Sequence, residues 1–141
     1  MHVTLYSIAE RFIGIKEVPG SDDNPQILAM LNLDKIWPEH DEIPWCSGFV
    51  NYICWILDIR RSKSLMARSW LDIGMSIKLE NAKVGSDIVI LRRGNNPVSG
   101  HVGFYSGRSD HVIYLLGGNQ SNTVSVNGYS INRLLDIRRL C

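Results

Sequence analysis

The hydrophobic period of this chain changes once, and that change restricts its fold more than any other feature. Up to about residue 74 the apolar residues recur at helical spacing; beyond it they fall into short, β-branched or aromatic runs. Leu5, Ile8, Phe12 and Ile15 form a stripe at helical intervals, with Thr4 placed to cap it. A second short helix is predicted in "PQILAMLNL", with Pro25 in its first turn. A third begins near Cys46 and carries Phe49, Val50, Ile53, Ile56 and Leu57 toward a core, and a fourth runs through "SLMARSWLDIG" to Gly74. The runs "DIVILRR", "HVGFYSG", "HVIYLLGG" and "NTVSVNGY" then read as strands. They lie too close together for helical crossovers, so neighbours pair antiparallel and the class is α+β.

At 141 residues the chain is read as a single domain, 1–141, large enough to bury a core. A net charge of +1 gives no global case for binding nucleic acid or an acidic membrane. The pairs Arg92-Arg93 and Arg138-Arg139 read as solvated surface. The opening "MHVTLYSIAERF" lacks a basic signal-peptide start, and no apolar run approaches the ~20 residues of a membrane span. Synthesis in the cytoplasm is therefore expected. Cys46 and Cys54 would lie about 12 Å apart along one helix, too far for a disulfide, so reduced thiols are expected.

The placement of Cys46 at a helix start is the first chemical signal. Unpaired N–H groups and the helix dipole favour thiolate there, which predicts a lowered thiol pKa, and the same groups can hold an oxyanion. Cys54, two turns on, reads as core. Of the four histidines, His2 is terminal, His40 lies in the loop before the helix and His111 opens a strand without evident geometry. His101 is the candidate base: on a strand it shares a face with Gly103 and Tyr105, and Gly100 and Gly103 are expected to leave space around the ring. Asn119, after a glycine pair at the end of the next strand, is the candidate to orient the imidazole. Trp45 and Glu42, beside Cys46, are candidates for the cleft wall together with the two glycines, though Glu42 also suits a helix cap. Trp55 and Trp70 read as core. Zinc is the competing use of Cys46, Cys54, His40 and His101, but no close-spaced ligand pair supports it, and no metal is expected.

In order along the chain, "IGIKEVPG", "DNPQI", "DEIPWCSGFVN", "RSWLDIG", "DIVILRRG", "GHVGFY" and "GGNQSNTVSV" resemble a phage and bacterial branch of the NlpC/P60 and CHAP superfamily. The resemblance covers residues 5 to 139. It implies a papain-like fold, with N-terminal helices packed on a central antiparallel sheet of about five strands. It also implies a peptidoglycan hydrolase that cuts an amide bond of the stem peptide, with Cys46 as nucleophile, His101 as base and Asn119 as orienting residue. No cofactor would be needed, and no nucleic acid or stable membrane association is expected. The biological role it suggests is a phage or prophage endolysin: a monomer that collects in the host cytoplasm and passes a holin pore to act on the wall in the periplasm. No separate cell-wall-binding domain is expected. A type VI or otherwise injected amidase effector, and a catalytically dead peptidoglycan-binding module, are the alternatives. Two departures stand out: Ser86 interrupts an expected Gly-Asp pair, which suggests a bulge there, and the chain ends on Cys141.

Overall fold

The computed structural model describes residues 3–16, 24–33 and 45–141. Thr4 caps α1 (Leu5–Ala9) by accepting the Ser7 N–H, and Ser7 returns the bond to the Thr4 N–H, a reciprocal capping box. The helix tightens into a single 3-10 turn, Glu10–Phe12, and Gly14 then takes a left-handed φ of 101°. The apolar stripe thus leaves the helix before Ile15. Beyond this turn Ile15 and Lys16 run beside Thr123 and Val124, with Gly14 N–H donating to Val124 O (2.9 Å) and Val124 N–H to Ile15 O (2.7 Å).

Asn24 caps α2 (Pro25–Leu31) through the Gln26 N–H, with Pro25 in the first turn as expected. α3 (Cys46–Ile56) starts where the sequence placed it. The fourth predicted helix is a 3-10 turn, Ala67–Asp72, and Gly74 closes it with φ 72°.

Among the described residues, six strands form one antiparallel sheet: β1 (Met75–Ile77), β2 (Asp87–Arg92), β3 (Gly100–Arg108), β4 (Val112–Gln120), β5 (Thr123–Ser130) and β6 (Leu134–Arg139). Their spatial order is β1-β6-β2-β3-β4-β5. The α+β class and antiparallel pairing hold, with two strands that the sequence patterns did not announce. The irregularity of β2 lies between Ile90 and Leu91, opposite β6, rather than at Ser86. β6 is anchored by Arg139, whose guanidinium forks onto the buried Asp87 carboxylate at 2.7 and 2.9 Å.

α3 covers one face of the sheet. Phe49 and Ile53 pack with Val102, Phe104 and Leu116, and the Phe49 and Phe104 rings meet edge to face at 6.1 Å. Sealing a ring like Phe49 from water stabilises the fold by about 2–3 kcal/mol. The opposite face carries a second cluster, with Val89, Leu91, Tyr105, Leu115 and Ile137. β2 is buried on both faces, which explains its unbroken apolar run. Trp70 is in the core, but Trp55 is 54% exposed and Ile56 39%, contrary to expectation. Both lie at the end of α3, where the apolar stripe continues past the helices and sheet that could cover it.

Candidate active site

Cys46 is the first residue of α3, so its own N–H and that of Ser47 lack intrahelical acceptors. The ladder between β3 and β4 begins only at Phe104↔Leu116. Ahead of it the strands part, and the Val102 N–H is turned to the Cys46 sulfur. Burial pushes the Cys46 thiol above its ordinary value; the Val102, Ser47 and Cys46 N–H groups and the Arg93 cation pull it down, but by less. The lowered pKa expected of a helix-start cysteine is thus corrected. The dipole acts as expected, but the site is too dry for it to prevail.

His101 is also buried, and desolvation lowers its pKa to about 4, aided by the Arg93 and Arg133 cations and opposed by the Gln120 hydrogen bond. At neutral pH the imidazole is uncharged. Its Nε2 lies 2.9 Å from Gln120 Oε1, and the Gln120 amide nitrogen donates to Leu115 O (3.1 Å) and Ser125 O (2.7 Å). With its N–H bonds committed, Gln120 presents only an acceptor, so His101 carries its proton on Nε2. Nδ1 is left as a bare base, buried and without a hydrogen-bond partner. The residue after His101, Val102, turns its N–H to the Cys46 sulfur. The Tyr129 hydroxyl lies 3.4 Å from His101 Nε2, and Arg133 sits 5.1 Å over the Tyr129 ring.

The bond expected of Asn119 is therefore made by its neighbour. Along β4, Ile113 and Leu115 face the second cluster, and strict alternation would put Asn119 on that face with His101. A register shift between Gly117 and Gln120, with Asn119 at φ 59°, delivers Gln120 there instead. A Cβ on Gly117 would come within 2.9 Å of the Gln120 carbonyl oxygen, so the glycine is needed for the amide to fold back.

The cleft beside the sulfur has a volume of about 230 Å³. One wall is Leu65, Met66 and Ala67; the other is Arg93 with Val98, Ser99 and Gly100. Two buried polar residues fix the first wall. Ser47 donates to Ser64 O (2.5 Å) and accepts the Trp70 indole N–H (2.8 Å), while Asn51 binds Ser64 O (3.1 Å) and the Lys63 N–H (2.9 Å). Arg68 fixes the second by donating to Ser99 O (2.8 Å) and Asn96 O (2.9 Å).

Several expectations about this cleft change. Gly100 lines it, but a Cβ there would meet Leu91 O at 2.6 Å; Gly103 is packed against Leu115. Both glycines allow close strand approach rather than leaving open space. Trp45 is fully buried against Gly118, where a Cβ would lie 2.6 Å from the indole, so it belongs to the core and not to the cleft wall. Glu42, like His2 and His40, lies outside the described residues. Gln120, Tyr129, Ser47 and Asn51 were not singled out by sequence reasoning, and Arg93 was read only as solvated surface, although it lines the cleft. Gln120 had a signal, its place in "GGNQ", but its facing depends on the bulge.

A helix bearing a buried cysteine, laid on an antiparallel sheet that supplies a histidine, is the α+β papain-like fold of the NlpC/P60 proteins. Among solved structures the chain is similar to NlpC1 from Trichomonas vaginalis, with a TM-score of 0.58 and 19% identity over 96% of this chain and 42% of that one. It is likewise similar to NlpC2 from the same organism, with a TM-score of 0.57 and 18% identity over 96% and 44% of the two chains. The chain therefore spans less than half the length of either. No protein-family model and no curated protein matches it.

Proposed function

We infer that the chain is a cysteine hydrolase that cuts an amide bond in the stem peptide of peptidoglycan. The observation that carries this reading is the bare, buried Nδ1 of His101, held in one tautomer by Gln120, on a strand whose next residue gives its N–H to the sulfur of Cys46. The NlpC/P60 fold is compatible with this substrate class, which itself rests on the motif resemblance.

Cys46 and His101 rest as neutral thiol and neutral imidazole. As the sulfur attacks the amide carbonyl, its proton passes to Nδ1, and the imidazolium is stabilised through its Nε2–H bond to Gln120. The Cys46 backbone N–H, free of the helix ladder, is a donor for the oxyanion. The imidazolium then returns its proton to the leaving nitrogen as the C–N bond breaks. Water, deprotonated by the same Nδ1, releases the acyl group and restores the thiol.

The test is mass spectrometry of fragments released from purified sacculi by wild type and by Cys46→Ala. Fragments from wild type alone support the reading, and their new termini name the bond. Sacculi that bind both proteins and release nothing overturn it and favour a binding module of the same fold. The finer biological reading, a phage or prophage endolysin acting on the wall after holin release, rests on the sequence resemblance. Co-expression with a holin should lyse cells with wild type and not with Cys46→Ala.

A further inference from the structure

The mouth of the Cys46 cleft is cationic, and no carboxylate among the described residues lines it. The loop of its outer wall also lines a broader groove of about 660 Å³ that holds Arg68, Arg92 and Arg133, with no acid among the described residues that line it. Three of these arginines are occupied. Arg68 holds the 96–99 loop, Arg92 donates to Asn132 O, and Arg133 donates to Arg92 O while covering Tyr129. Arg93 differs: it is exposed, lines the cleft with Cys46, and makes no hydrogen bond or ion pair among the described residues. Its charge is nonetheless felt at Cys46, His101 and Tyr129.

A cation beside a dry nucleophile favours its thiolate but opposes the imidazolium that His101 must form, so it gives the neutral resting pair little net help. It makes sense when a substrate anion covers it. We propose that Arg93 is an anion subsite of the cleft, which takes a free carboxylate on a residue at or next to the scissile amide and so selects acidic peptide substrates over neutral ones. The guanidinium fork matches a carboxylate in two parallel bonds, and Arg93 lines the same cleft as the Cys46 sulfur. This rests on Cys46 as the nucleophile but specifies what that site accepts.

Two measurements test it. The first compares alkylation of Cys46 by iodoacetate and by iodoacetamide, read by peptide mapping, with exposed Cys141 as internal reference. Wild type should show a higher iodoacetate-to-iodoacetamide ratio at Cys46 than at Cys141. Arg93→Gln should lower that ratio several-fold and Arg93→Lys should keep most of it; an unchanged ratio in Arg93→Gln overturns the subsite. The second compares hydrolysis of one stem-peptide fragment as free acid and as carboxamide. Wild type should favour the acid by roughly 10–100-fold, the worth of a charge-assisted pair, and Arg93→Gln should narrow the gap. Equal rates on acid and amide would remove the subsite and leave the hydrolase reading intact. No cleavage of either, with the alkylation bias present, would remove the hydrolase reading and leave the subsite.

Discussion

The two ends of α3 each hold a cysteine, both buried, both with thiols pushed up by desolvation, Cys54 to about 12. They differ in what the sulfur meets. Cys46 faces a cleft, an unladdered N–H from β3, an arginine and a strand bearing a bare imidazole nitrogen. Cys54 meets the apolar core and ends the tightly covered part of the helix, after which Trp55 turns out to solvent. Burial alone does not distinguish a nucleophile from a core thiol. The surroundings that accept its proton and charge do.

The largest effect that would break this contrast is in activity. Cys46→Ala should remove at least ~10³-fold of hydrolysis while leaving the melting temperature nearly unchanged, because nucleophile and base act as a unit. Full activity in that variant would make the two cysteines equivalent.

The next is pH dependence. His101 has its folded pKa lowered to about 4 from an ordinary 6.5. In acid the unfolded chain takes this proton first, so the stability from keeping the ring neutral is complete above pH 6.5. It should be lost as pH falls toward 4, by about 3 kcal/mol. Denaturant titration of wild type and His101→Gln across that window isolates the share due to His101. The acid limb of kcat/KM should likewise fall near pH 4; a limb near 6.5 would mean the ring is solvated.

Gln120→Ala should cost on the order of 10²-fold in kcat, since the imidazole loses its fixed tautomer. Gln120→Glu should move the acid limb upward, because a carboxylate favours the imidazolium, which a purely structural role would not do. Cys54→Ala should lose ~1 kcal/mol of stability with activity kept. Trp55→Ser, at the uncovered end, should shift stability by less than ~0.5 kcal/mol.

The sequence disclosed what depends on short spacing. Thr4 announced its helix through capping chemistry, Pro25 through a first turn that suits its fixed φ, and Cys46 its place at a helix start. The central strands were legible because both faces are buried. β6 was not, since Asp136, Arg138 and Arg139 make it read as charged surface although Ile137 and the Asp87–Arg139 pair bind it to β2. Trp55 and Ile56 were misjudged because a stripe names an apolar face but not where its cover stops. In the candidate site, the helix start at Cys46 and the strand of His101 were legible, and the side chain bonded to His101 lies one residue beyond the one expected. Alternation cannot foresee a bulge, and one inserted residue exchanges the two faces of a strand.

The short run of residues 14–16 beside β5 has a consequence for behaviour at high concentration. β5 ends the sheet, and an uncovered sheet edge is a template for another chain. Here Gly14 and Ile15 occupy the backbone groups of Val124, and the Thr123 hydroxyl donates to Ile15 O. The opening segment of the chain is thus a guard against self-association as well as the lead-out from a helix. Gly14→Pro, which removes the N–H given to Val124 O and cannot adopt φ 101°, should keep the residues around Cys46 and yet turn cloudy on concentration.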